Sequence, residues 1–327
     1  MTANKIGAVV LAAALIVGAV FLRQAITGDD NGGGATDPSS PTDTRAPGSG
    51  KYQLICSTEF ADICNALDND DVEVTIQAAG QTLQSLASVD PTELPDAWLT
   101  LDPFPAMLAE TRQRPAGLPT PLETTVLAST EPMIAVKPDL EDGVSTLCSG
   151  TSLWACLGAQ AGQSWSSLDV DFGGNVAMGL PDPANEALGL VQFATALAGF
   201  FPAAALDDQP WTVATLEFTS WLRAMKSTNT SFSSQTPLDV LAVRPLINVA
   251  ATTSAEVGEA STSAFATFSV EPSIDVNAVF ATFDSANDSL QSELADALSE
   301  ASWDSPPGTP LAASATTFIA IRNLWRQ

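Results

Sequence analysis

Four cysteines fall into two pairs with the same spacing, Cys56 with Cys64 and Cys148 with Cys156. Three connectivities can join them. Local pairing is the simplest, because each bridge then closes a short loop and ties a helix start to the segment before it. The first pair sets a geometric condition. "YQLIC" ends at Cys56 as a strand, and Cys64 lies two turns into the helix-like pattern "STEFADICNAL". A disulfide spans Cα atoms at most about 7 Å apart, so the bridge forms only if the chain bends at Cys56 or the helix starts late. Zinc is the poorer account of these thiols: the chain has no histidine and no close cysteine spacing.

Disulfides persist in oxidising compartments, and the N-terminal segment bears on which one this is. After Lys5, an apolar run extends from Ile6 to Leu22. At 1.5 Å per residue it reaches ~25 Å, the short end of a membrane helix. Small residues at Val17-Gly18-Ala19 fit a cleaved signal peptide, but apolar Val20, Phe21 and Leu22 follow where a polar cleavage region belongs. The sequence therefore favours an uncleaved single-pass anchor over 1–25. It sits in the cell membrane with the N-terminus cytoplasmic and the bulk of the chain extracytoplasmic. Residues 26–50, rich in Gly, Pro, Ser and Asp, cannot offset the entropy of ordering and read as a tether.

The formal charge is −26, with 12 basic against 38 acidic residues. Phosphate surfaces need clustered Lys and Arg, so nucleic acid and anionic lipid are poor partners for the chain as a whole. Without histidine there is no Ser-His-Asp or Cys-His site. No nucleophile elbow, phosphate loop or dinucleotide fingerprint appears, and "ALDNDDVEV" lacks calcium-loop spacing. A separated carboxylate pair is the one hydrolytic arrangement that a sequence of this kind conceals. The expectation is a protein that is not an enzyme, with no cofactor and no metal.

From residue 51 onward short apolar runs alternate with helical patterns, which predicts an α/β fold with mixed, mostly parallel sheets. "YQLIC", "VEVTIQA" (72–78), "AWLTL" (97–101), "TTVLAST" (124–130), "PMIAVKP" (132–138) and "NVAMGLP" (175–181) read as strands. "LDVLAVRPLINVAAT" (238–252) reads as a long strand stretch broken at Arg244-Pro245, and "ATFSVEP" as another strand. "STEFADICNAL", "QTLQSLAS", "FPAMLAET", "DPANEALGLVQFATALAGFF" (182–201) and "WTVATLEFTSWLRAMKS" (211–227) read as helices. The tail, including "VNAVFATF", reads as mainly helical.

This order resembles bacterial extracellular solute-binding proteins of the type 2 periplasmic-binding fold. The likeness runs through "LICSTEFADIC", "AAGQTL", "DAWLTLDP", "LASTEPMIAVKP", "VAMGLPDPANEALGL" and "PLDVLAVRPLINVAATTSAE". It implies two α/β lobes closing over a small ligand. Lobe one would be 51–131 plus 245–327, and lobe two 132–244. Ligands in such folds sit beyond the carboxyl ends of strands. That implies a rim of Ser57, Thr58, Gln81, Thr82, Asp102, Ser129 and Thr130, with Asn185 across from it. Helix capping accounts for Ser57 and Thr58 equally well. Glu186 stands where an anion would meet repulsion unless it caps the helix or pairs with an arginine, and Arg244 and Arg223 are the candidates. For Arg244 a strand-end salt bridge is the competing account. The implied function is capture of a small polar or anionic solute between the lobes, feeding a membrane permease. The alternative is a non-transporting envelope scaffold or sensor with a degraded cleft and an envelope protein as partner. A plane between the halves packed solid with apolar side chains would count against capture.

Overall fold

The computed structural model describes residues 51–114, 118, 120, 122–200, 216–229, 236–260, 263–271, 273–284, 287–304 and 315–327. The anchor predicted over 1–25 and the tether over 26–50 lie outside them. Among the described residues no helix is long and apolar enough to cross a membrane.

Strand β1 (Tyr52–Cys56) runs into a single 3-10 turn, Thr58–Phe60, before helix α1 (Ala61–Asn65) begins. The late helix start meets the geometric condition on the first cysteine pair. Cys56 and Cys64 are bonded with Cα atoms 6.5 Å apart. Cys148 caps α4 (Glu141–Leu147) and is bonded to Cys156 in α5 (Leu153–Gln160), Cα atoms 5.5 Å apart. Between them the chain reverses at Gly150, whose φ of 79° suits glycine.

The first sheet combines β1 with β2 (Val72–Ile76), β3 (Ala97–Leu101), β4 (Glu123–Thr130) and β9 (Val276–Thr282), in the order β2-β1-β3-β9-β4. The second combines β5 (Pro132–Val136), β6 (Met178–Gly179), β7 (Val249–Thr253) and β8 (Ala266–Ser269), in the order β6-β7-β5-β8. Pairings β1–β2, β1–β3 and β6–β7 are parallel. The other four, β3–β9, β4–β9, β5–β7 and β5–β8, are antiparallel. The sheets are thus mixed and not mostly parallel: β9 runs against both its neighbours in the first sheet, and β5 against both of its neighbours in the second.

Three sequence expectations change. "VNAVFATF" is no helix: all seven residues of β9 are buried between β3 and β4, as its mainly apolar run, with Ala278–Ala281 at its centre, suits. "LDVLAVRPLINVAAT" is not one strand. Its first half is helix α8 (Pro237–Val243), started by a capping box in which Thr236 and Asp239 satisfy each other's amides, with Pro237 in the first turn. The boundary expected at 245 also moves. β7 and β8 both pair with β5 in the second sheet, so the chain re-enters the first sheet only at β9.

The remaining helices are α2 (Ala79–Leu86), α3 (Phe104–Gln113), α6 (Ala187–Phe200), α7 (Leu216–Thr228), α9 (Ser254–Glu259), α10 (Asp288–Glu300) and α11 (Ala315–Arg326). Alternation along β5 and β7 splits the second sheet's faces. Ile134, Val136, Val249 and Ala251 join a core that continues through α6 into the first sheet. Ala135 and Ala250 pack with Leu238 and Leu241 of α8 in a smaller outer cluster. One continuous core therefore takes in the inner face of the second sheet together with the first sheet, and the smaller cluster under α8 lies outside it.

Exchanging either cysteine pair for serine is expected to lower the unfolding free energy by about 2–3 kcal/mol, the chain-entropy value for so short a loop. Denaturant titration measures it, and an unchanged midpoint would remove the bridges from the stability account.

Candidate functional site

Two strand-to-helix turns meet where the sheets face each other. One follows β2 and enters α2; the other follows β6 and enters α6. They touch backbone to backbone, the Gly80 N–H donating to the Asn185 carbonyl at 2.8 Å. Only glycine fits there. A Cβ on residue 80 would lie 2.5 Å from the Ala184 oxygen and 2.7 Å from the Asn185 Cα. Arg322 of α11 clamps both turns, Nε donating to the Ala184 carbonyl at 2.7 Å and Nη2 to the Gly80 carbonyl at 2.9 Å. Burial, with Arg326 close by, lowers its pKa to about 10. One turn further along α11, Trp325 Nε1 donates to Asp182 Oδ1 at 3.0 Å.

At the start of α6 the Leu188 N–H donates to Glu59 Oε1 at 3.0 Å. First-turn amides have no partner inside their own helix, and the helix dipole places partial positive charge there. A carboxylate is the group such a position holds best, and the chain supplies its own. Burial pushes the Glu59 carboxyl above the ordinary range, although hydrogen bonds from Leu188, its own amide, Ala187 and Thr58 pull the other way. Glu186 is raised from 4.5 to about 7, first by burial and then by the charges of Glu59 and Asp182.

The structure disperses the predicted rim. Ser57 is fully buried, its Oγ donating to Thr100 Oγ1 at 2.7 Å and accepting from Trp98 Nε1 at 3.3 Å. It occupies the cap position without a side-chain capping bond. Thr58 is exposed, donating to Glu59 Oε2 at 3.4 Å. Gln81 is exposed, whereas Thr82 is buried and donates to Gln77 Oε1 at 3.0 Å. The Asp102 amide donates to the Asn277 carbonyl. Ser129 lies in the ladder, bridged to Asp304 backbone to backbone. Thr130 Oγ1 lies 2.9 Å from Ser254 Oγ and accepts from the Ala255 amide, fastening the crossing between sheets. Asn185 is at the seam, its Nδ2 held by Asp182 Oδ2 at 2.6 Å. Arg244 is not there: it caps the C-terminus of α8, exposed at the far end of the second sheet. Arg223, the other arginine considered for Glu186, is exposed on α7.

Sequence reasoning thus named Gln81, Thr82 and Asn185 on the two turns that meet, and missed Gly80 and Arg322, which join them, and Glu59, which meets the start of α6. For Arg322 a signal existed. It lies among Phe318, Ile321 and Trp325 at helical spacing, an arginine on an otherwise apolar face.

Neither a protein-family model nor a curated protein matches the chain. Solved structures do. The periplasmic binding protein AfuA from Actinobacillus pleuropneumoniae, solved with exogenous fructose-6-phosphate bound, matches with a TM-score of 0.53 at 10% identity, covering 85% of this chain and 98% of that one. Iron-bound HitA from Pseudomonas aeruginosa matches with a TM-score of 0.49 at 10% identity, covering 85% of this chain and 100% of that one. The likeness to AfuA establishes a fold of the periplasmic-binding-protein kind.

Gly80→Ala is expected to cost about 1–3 kcal/mol, since the obstructing atoms include backbone. Thermal unfolding measures the loss, and hydrogen exchange at residue 80 reports whether the seam has parted. The second prediction concerns pH. Folded Glu186 keeps its proton up to about 7, whereas an unfolded glutamate loses it near 4.5. The folded state therefore binds the extra proton between those values, and stability falls as pH rises through that window. Glu186→Gln should flatten this part of the stability–pH curve relative to wild type. An identical curve would mean that the carboxyl titrates normally.

Proposed function

We propose that the chain is a two-lobed extracytoplasmic binding module that captures a small polar or anionic solute between its sheets and is self-liganded at rest. One lobe is built on the first sheet and the other on the second. Residues 1–25 hold the module at the membrane, 26–50 tether it, and a permease receives the solute. No catalytic step is assigned. The fold supports this, and the observation that carries it is the Leu188 amide bound to Glu59. An anion position at a long helix N-terminus is in use, and its occupant is a side chain on the opposing lobe. Solute capture then means displacement of Glu59, which leaves more readily when protonated.

The second reading, a non-transporting envelope scaffold or sensor, is favoured by the continuous apolar core and by the inward pairing of Ser57, Thr82 and Thr130. Thermal unfolding of the full chain separates the two. Phosphate, acetate, sugars and amino acids are screened against wild type and Glu59→Ala. On the capture reading, an anion stabilises Glu59→Ala more than wild type, approaching about 2.7 kcal/mol at a hundredfold excess over its dissociation constant. If no solute moves either protein, capture is wrong and the scaffold reading stands.

A further inference from the structure

β5 leaves the crossing at Pro132 and ends at Val136, so Lys137 stands about 16 Å from the crossing, at the opposite end of the second sheet. A cavity of about 620 Å³ opens there, between Lys137, the Phe172–Asn175 turn and residues 242–248. That volume lies within the range of small-molecule sites. Two cations line it, Lys137 and Arg244, and no acidic residue does, in a chain with 12 basic and 38 acidic residues. Lys137 Nζ donates to the Leu241 carbonyl, which uses one of its three protons. The exposed Arg244 guanidinium has no hydrogen bond or ion pair among the described residues. On the opposite wall Gly173 and Gly174 have open space where a Cβ would sit, so bare backbone faces the cavity. No described residue accepts from either glycine amide.

The rim has the other polarity. Val243 and Leu246, 72% and 53% exposed, are the large apolar side chains left in water among the described residues, and both line this cavity. Cations at the C-terminus of α8 complement its dipole, which accounts for where Lys137 sits. It does not account for two aliphatic side chains held in water beside an unpaired guanidinium. We infer that this cavity is a second ligand site, distinct from the seam, for an organic anion carrying an apolar group. Lys137 and Arg244 take the carboxylate or phosphate head, and Val243, Leu246 and Phe172 cover the hydrocarbon.

The test uses the full chain in nanodiscs of zwitterionic lipid, titrated calorimetrically with hexyl phosphate, hexyl glucoside and inorganic phosphate against empty nanodiscs. Hexyl phosphate should saturate one site and bind at least tenfold more tightly than either control. Arg244→Glu should weaken it at least tenfold, whereas Arg223→Glu, the same charge change on α7, should leave it within twofold. Leu246→Ser should weaken hexyl phosphate but not inorganic phosphate. Equal binding of hexyl phosphate and hexyl glucoside, or an Arg244→Glu variant that binds like wild type, overturns the assignment. Nanodiscs doped with phosphatidic acid then separate the sources. Competition against hexyl phosphate assigns the head group to the bilayer, and unchanged binding assigns it to a free solute.

Discussion

Helix α6 has no side left for water. Thirteen of its fourteen residues, Ala187 through Gly199, are buried, and only Gln192 and Thr195 among them are polar. Such a helix must be enclosed, and enclosure dictates the rest. Helices α5 and α11 and strand β3 pack on it, and the Gln192 amide reaches the Thr252 carbonyl in β7. Burying Leu190, Val191, Phe193 and Leu197 is worth about 1.5–3 kcal/mol for each large side chain. That force fixes where the helix begins. Its first turn arrives at the seam with its amides unspent, against Glu59.

Some helix ends inside this architecture receive a charge of the complementary sign from another element. The carboxylate of Glu59 meets the start of α6. At the other polarity, Arg112 of α3 donates to the Leu86 and Val89 carbonyls at the end of α2, at 2.5 and 2.8 Å. Arg322 departs from that pattern: it joins the carbonyls of residues 80 and 184 at two helix starts, where the dipole offers a cation no help and the carbonyl hydrogen bonds alone hold it. Buried cations are costly unless hydrogen-bonded, and burial lowers the pKa of both arginines. Backbone carbonyls offset part of that cost, while Arg112 keeps Nε and Nη2 buried without a partner among the described residues.

The legible part of this fold was the part written in local pattern. The mainly apolar runs at 52–56 and 97–101 became strands at the expected positions, and that expected over 132–138 ends at Val136, because short apolar runs bounded by turn residues leave few alternatives. The local disulfides were legible for the same reason. What misled was apolarity without punctuation. Residues 276–282 carry no turn signal to mark them as a strand, and in 238–252 the capping pair Thr236 and Asp239 outweighed the β-branched run after it. The site was half visible. The turns could be placed from strand ends, but which hydroxyl points inward depends on neighbours forty or more residues away, as Ser57 does on Thr100. The carboxylate held at the start of α6 depends on a contact between residues 59 and 188, which no local window contains.

The place of β9 has a consequence for how such a chain is made. It lies between β3 and β4, hydrogen-bonded to both, yet follows β4 by well over a hundred residues. Until residue 282 has emerged, from ribosome or translocation pore, β3 and β4 have an empty lane between them. Each presents a bare edge that invites foreign strands. Closure over so long a span is also intrinsically slow. The nascent molecule therefore passes most of its synthesis with its central sheet split, and becomes safe from strangers only when the last ladder slides home.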